Sequence, residues 1–240
     1  MTIVSQAETV SDFSPFGIRA FTTTRASGSF GLASDEPVGL IMQRWRQLRD
    51  ELAPGGARLA TATQVHGAKV VVHESSWEGW LRVDAADGHV ATDRGLALAV
   101  SVADCVPIFI AHPSGAVGLL HSGWRGTAAR IVERGIDLLG QCGFAANELR
   151  VHLGPAICRN CYEVGADVFR QLHGRDSSGG PARVDLRAII AEHARAAGVR
   201  HLTTSALCTR CDNDRLYSHR AGDAGRQIAV IYAESAARTS

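Results

Sequence analysis

Lysine is almost missing from this chain of 240 residues: Lys69 is the only one, and arginine supplies nearly all of the positive charge. Neither sign of charge is in excess. The 25 Lys and Arg against 24 Asp and Glu leave a net charge of +1, so bulk attraction for nucleic acid is not indicated. A membrane span is missing too, because no apolar run reaches the ~18 residues required. The longest candidate is interrupted by Asp104 and Pro107. The opening MTIVSQAETVSDFSPFG has neither the basic region nor the apolar stretch of a secretory signal. The expected setting is the cytoplasm, with no nucleic-acid or membrane partner. No fixed-period repeat and no long linker divides the chain, so one domain is expected over residues 1–240, with its core at about 18–233 and frayed tails. The arginine bias suits planar contacts to carboxylate or phosphate, although a GC-rich genome accounts for most of it.

What is present reads as short apolar runs bounded by turns. Strands are expected at Ile18 to Thr24, Lys69 to His73, Leu96 to Val102, Val106 to Ala111, Ala116 to His121, Leu149 to Leu153 and Gln227 to Tyr232. Helices are expected at Gly39 to Leu52, with Leu40, Ile41, Trp45, Leu48 and Leu52 as an apolar stripe ended by Pro54-Gly55-Gly56. A further helix after Thr127 as cap carries Ile131, Val132, Ile136 and Leu139. Two more are expected at Glu163 to Leu172 and, capped by Asp185, at Leu186 to Ala197. HGRDSSGGPAR is the one segment that reads as a flexible insertion. Hairpin-spaced strands mixed with helices point to an α+β fold over a pure parallel βαβ one.

Three residues stand where a sheet can aim side chains at a common point: His66 in TQVHG, Cys105 in ADCVPIF and His121 in LLHSGWRG. Two imidazoles and a thiolate suit tetrahedral Zn²⁺, and three protein ligands keep a fourth position for water or substrate. On the residues alone the plainer reading is favoured, with Cys105 a small buried hydrophobe and the histidines incidental. Cys158 and Cys161 (CRNC) and Cys208 and Cys211 (CTRC) repeat the local spacing of a four-cysteine zinc site. Reduced thiols near the active-site rim are the other reading of these pairs, and Cys142 reads as a buried or helix-end thiol.

TQVHG, SVADCVPIF, LLHSGWRG, LGPAICRNCYEVG and LYSHRAGDAGRQIAVI together resemble the signatures of the YfiH-like family. It is also called the multicopper polyphenol oxidoreductase or laccase-domain family, and is described as a purine nucleoside phosphorylase family. The resemblance runs from about Phe21 to Tyr232. It implies two packed mixed β-sheets flanked by helices, layered α/β/β/α, and one zinc held by His66, Cys105 and His121. It further implies phosphorolysis of adenosine, inosine and 5′-methylthioadenosine to free base and ribose-1-phosphate, with adenosine deamination as a second activity. Purine nucleoside and phosphate are then the partners, in a monomer or homodimer. The loop ASGSFGLASDEPVG after Arg25 is short and departs from the family pattern, as does His219, which stands where tyrosine is common.

Chemistry of this kind needs cations for phosphate and an acid or base. Arg25, Arg125 and Arg220 are the candidates to hold phosphate or ribose, with surface salt bridges as the plain alternative. Asp104 and Glu163 are the candidate catalytic carboxylates. Asp104 is favoured as a group that orients His66 or His121, and Glu163 is either an acid or base or a residue that favours the positive end of a helix. Trp124 is either a stacking surface for purine or a core or rim aromatic. A true multicopper oxidase needs closely paired histidines, and the ten histidines here include no H-x-H pair; Cu²⁺ in place of Zn²⁺, with weak polyphenol oxidation, is expected only in vitro. The alternative is a Cys105–His121 hydrolase that edits peptidoglycan precursors.

Overall fold

The computed structural model describes residues 2–53, 56–74, 77–177 and 180–235. In chain order these form β1 (Glu8–Thr9), β2 (Ile18–Thr22), α1 (Val38–Leu52), β3 (Arg58–Ala62), β4 (Val70–His73), β5 (Trp80–Val83) and β6 (Gly88–Ala91). Next come β7 (Leu96–Val102), β8 (Val106–Ala111), β9 (Val117–Ser122), α2 (Trp124–Ala128), α3 (Ile131–Gln141) and β10 (Arg150–Leu153). Last are β11 (Glu163–Val164), α4 (Ala166–His173), β12 (Ala182–Arg183), α5 (Leu186–Ala196), β13 (His201–Thr204) and β14 (Gln227–Ala233).

Two six-stranded mixed sheets result, ordered β1-β2-β14-β7-β3-β5 and β13-β10-β8-β9-β6-β4. Between β3 and β7 the chain alternates between sheets strand by strand, so β3/β5 and β4/β6 are parallel pairs in different sheets. Side-chain alternation explains why β14, QIAVIYA, is apolar throughout. Ala229, Ile231 and Ala233 face the inter-sheet core, while Ile228, Val230 and Tyr232 face the layer under α1. Likewise β7 sends Leu96, Leu98, Val100 and Val102 between the sheets and presents the small Ala97 and Ala99 to the α1 side. The second sheet is covered by α3 and α5, through Ile131, Val132, Ile136, Leu139, Ile189 and Ile190. The layers are therefore α/β/β/α.

Several sequence expectations need correction. Leu40 is not part of the α1 stripe: it is exposed, and Ile41, Trp45, Leu48 and Leu52 alone are buried. Thr127 does not start a helix. It sits inside α2 and returns its hydroxyl to the Gly123 carbonyl, and Arg130 at φ +59° separates α2 from α3. Glu163 opens the short strand β11, because Gly165 is the extended cap from which α4 begins at Ala166. Asp185 does cap α5, accepting from the Ala188 amide. Pro54 and Gly55, the middle of HGRDSSGGPAR and the last five residues lie outside the described residues. Among the described residues no helix is long and apolar enough to cross a membrane.

His73 and His89 are buried as a stacked pair, Nε2 to Nδ1 at 2.9 Å, and the second ring nitrogen of His89 has no partner among the described residues. Burial, then the neighbouring His73, pushes His89 down to about 3. The unfolded chain therefore binds a proton that the folded chain refuses, so stability is full above the ordinary histidine range and falls as pH drops below about 6.5. In urea unfolding between pH 7 and 5, His89→Leu is expected to flatten the acid limb by about 1 kcal/mol per pH unit on average, rising toward about 1.4 near pH 5. An unchanged slope would mean that the pair is not neutral in the fold.

Candidate metal centre

One end of the β-sandwich gathers the three expected ligands from two connections and one strand end. His66 lies in the β3–β4 loop, Cys105 just before β8, and His121 near the end of β9. The β8–β9 register pairs Val106 with Ser122, which sets Cys105 opposite Gly123 and beside His121. Gly123 is required by this approach: a Cβ there would stand 2.9 Å from Cys105 Sγ. His66 and Asp104 both occupy the left-handed region, at φ +60° and +84°, so backbone strain is concentrated at the cluster. The donor atoms of His66, Cys105 and His121 lie within 4.8 Å of one another, and the two imidazoles meet edge to face with centroids 4.9 Å apart.

Asp87 organises the cluster. It is fully buried; its Oδ1 accepts from His121 Nδ1 and the His66 amide at 2.9 Å, and its Oδ2 from the amides of Gly67 at 2.7 Å and Val65 at 3.2 Å. Burial pulls its pKa upward, but the His121 and Gly67 hydrogen bonds prevail and lower it. With Nδ1–H committed to Asp87, the free nitrogen of His121 is Nε2, the arrangement found around zinc histidines. Cys105 behaves similarly: burial would raise the thiol, yet His121 and His66 draw it down to about 6. Burial disfavours the His121 cation, but Cys105 and Asp87 outweigh it and lift His121 to about 9. A thiolate and two imidazoles within this span match a tetrahedral ion whose donor–donor edges are about 3.6 Å. Among the described residues no fourth His, Cys, Asp or Glu joins the trio.

The trio opens into a cavity of about 790 Å³. Its walls include the aromatics Trp80, Trp124 and Tyr162 and the cations Arg82, Arg125, Arg220 and Arg226. Asp104 is the one carboxylate in the lining. None of those four guanidinium groups forms an ion pair among the described residues; Arg125 lies over Trp124 at 4.3 Å and Arg220 over Tyr162 at 5.1 Å. Burial, then the charge of Cys105, pushes Tyr162 up to about 12, so its phenol stays a hydrogen-bond donor.

The other predicted residues are placed differently from one another. Asp104 does not orient a histidine: its Oδ1 accepts from Thr209 and Ser218, and its Oδ2 from the Arg220 amide at 2.7 Å. It anchors the turn that brings His219 and Arg220 to the cavity. Glu163 is exposed and outside the lining, and only its carbonyl takes part, accepting from Arg220. Arg25 is outside the lining as well; it is drawn to Asp223 at 2.5 Å, donates to the Asn213 carbonyl and lies over Tyr217. Asp87, Tyr162, Arg82 and Arg226 were not singled out from sequence.

Known proteins resemble this chain in sequence and in fold. The family model described as multi-copper polyphenol oxidoreductase laccase matches residues 20–234. A Streptomyces griseus protein named purine nucleoside phosphorylase ORF3 is 31% identical over 209 residues, covering 84% of this chain and 85% of its own. A protein from an unknown prokaryotic organism, named adenosine deaminase RL5, is 29% identical over 90% of this chain and 94% of its own. The crystal structure of YlmD from Geobacillus stearothermophilus superposes with a TM-score of 0.85 at 31% identity, covering 92% of this chain and 94% of that one.

Proposed function

Since the chain belongs to the multi-copper polyphenol oxidoreductase laccase family, we propose that it is a zinc-dependent purine nucleoside phosphorylase with adenosine deaminase activity. The observation that carries this reading is a single cavity with the His66, Cys105 and His121 donors and, on its walls, four arginines without carboxylate partners among the described residues. The donor set fits Zn²⁺, and an ion held by it would supply Lewis acidity beside the substrate. The names of the relatives, purine nucleoside phosphorylase and adenosine deaminase, support the same substrate class.

The chain's own groups divide the remaining work. Trp80, Trp124 and Tyr162 offer flat apolar walls for a purine, and the Tyr162 phenol donates without ionising. Arg125 and Arg220 hold phosphate by planar, charge-assisted hydrogen bonds and stabilise the developing charge when the glycosidic bond breaks. Asp104 fixes the position of Arg220 through its backbone amide. Turnover of adenosine with and without phosphate separates the two reactions. Free base that forms only with phosphate means phosphorolysis, and inosine that forms without it means deamination.

Arg125→Ala is the sharper test of the anion site. It should raise the KM for phosphate about 10- to 100-fold, the worth of one charge-assisted bond, and leave phosphate-independent deamination within about twofold. An unchanged phosphate KM would remove Arg125 from the site. A second reading, a cysteine hydrolase, draws on one feature: Cys105, His121 and Asp87 are also aligned as nucleophile, base and orienting acid. Activity that survives chelation and disappears on thiol alkylation would favour it.

A further inference from the structure

The four cysteines outside the cavity converge although the two pairs are 46 residues apart in sequence. Their sulfur atoms lie within 4.8 Å of one another, with Cys161 Sγ 3.5 Å and Cys158 Sγ 4.0 Å from Cys211 Sγ. A tetrahedron with Zn–S bonds of about 2.3 Å has edges of about 3.8 Å, between those two distances. A disulfide, at about 2.05 Å, is much shorter, and all of these thiols are free. The backbone is arranged for thiolate: Cys208 Sγ accepts from the amides of Cys158 at 3.2 Å and Cys211 at 3.4 Å. Each pair also carries one arginine, Arg159 and Arg210, and Arg210 reaches across to the Cys161 carbonyl. The Arg210 guanidinium partly offsets the −2 charge of four thiolates around a divalent ion.

We propose that Cys158, Cys161, Cys208 and Cys211 form a second metal centre, a closed tetrathiolate site that holds Zn²⁺ and ties together two segments of the cavity wall. Four protein ligands leave no open position, so this ion is structural. Its placement gives it a task. Cys158 and Cys161 are flanked by Ile157 and Tyr162, both of which line the cavity. Between Cys208 and Cys211, the Thr209 hydroxyl donates to Asp104 at 2.6 Å, next to Cys105. The clamp therefore holds Tyr162 and the Asp104 anchor in register from behind.

The test is zinc and iron analysis of the full-length chain, wild type and variants, with the Cys105→Ala chain reconstituted with Co²⁺. Cys105→Ala should retain about one zinc per chain, and its Co²⁺ form should show the intense thiolate charge transfer of a four-sulfur tetrahedral site. Cys211→Ser, an exposed position, should lose about one zinc relative to wild type. On a chain carrying Cys105→Ala and Cys142→Ser, a thiol reagent should release one zinc as the four remaining thiols react together. Metal content unchanged in Cys211→Ser, iron in place of zinc, thiols that react independently, or C-x-x-C disulfides would each overturn the proposal. The cavity site fails separately: in that event Cys105→Ala and wild type hold equal zinc, and only Cys211→Ser loses it.

Discussion

Cys105→Ser is expected to give a folded chain that has lost the cavity ion and almost all nucleoside turnover. The substitution is nearly isosteric and smaller, so no overpacking against Gly123 follows. What changes is charge. The thiol is held near pKa 6 by His121 and His66, whereas a serine hydroxyl in the same place stays neutral. One anionic ligand of three disappears, and two imidazoles alone bind Zn²⁺ poorly, so affinity should fall by more than about 100-fold. Lewis acidity worth several kcal/mol of transition-state stabilisation is lost with the ion, which corresponds to a rate decrease of about 10³-fold or more. Zinc content, thermal melting and adenosine turnover, each measured before and after chelation of the wild type, decide the matter. Wild-type activity that disappears with chelator and returns with zinc agrees with a ligand role. Cys105→Ser that keeps both zinc sites filled while losing turnover would instead assign Cys105 to nucleophilic chemistry.

The trio stood out because each member ends or precedes an apolar run, and such runs become the central strands that aim it, but it was the resemblance between long motifs that made it a metal site over incidental residues. The layering was not available from pattern alone. β7, β8, β9 and β14 are buried on both faces, so their apolar residues do not reveal which sheet each strand joins. It came from the resemblance between long motifs. Proximity in sequence misled where direction in space mattered. Asp104 adjoins Cys105, yet its carboxylate is taken up by Thr209, Ser218 and the Arg220 amide, more than 100 residues away in the chain. Arg25 follows a strand near the site, but Asp223 and the carbonyls of Asn213 and Leu216 claim its guanidinium. Asp87 was overlooked for the converse reason. In DAADGHV it looks like a turn residue, and only the folding of the His66 loop onto it reveals what it holds.

Asp87→Asn tests that hidden role, with two effects that can be measured separately. The carboxylate accepts four hydrogen bonds, two on each oxygen, inside a site with no solvent exposure. Asparagine presents one oxygen and one NH₂ group. If the oxygen serves His121 and the His66 amide, the NH₂ points at the amides of Val65 and Gly67. If it is turned over, the NH₂ faces His121 and the His66 amide. Either way at least one amide around residue 87 loses its acceptor, at about 1–3 kcal/mol, so a drop of at least about that size in unfolding free energy is expected. The ion should suffer as well. Without a carboxylate to hold the proton on Nδ1, His121 Nε2 is no longer the only free nitrogen, and zinc affinity should fall about 10- to 100-fold. Urea unfolding reads the first effect, and competition against a chromophoric chelator reads the second. Asp87→Glu, which keeps the charge with one added methylene, should recover part of the affinity even where packing lowers stability. A chain that loses stability while binding zinc as tightly as wild type would make Asp87 only a staple for the His66 loop. The measured affinity therefore bears directly on whether the sandwich orients His121 for a metal.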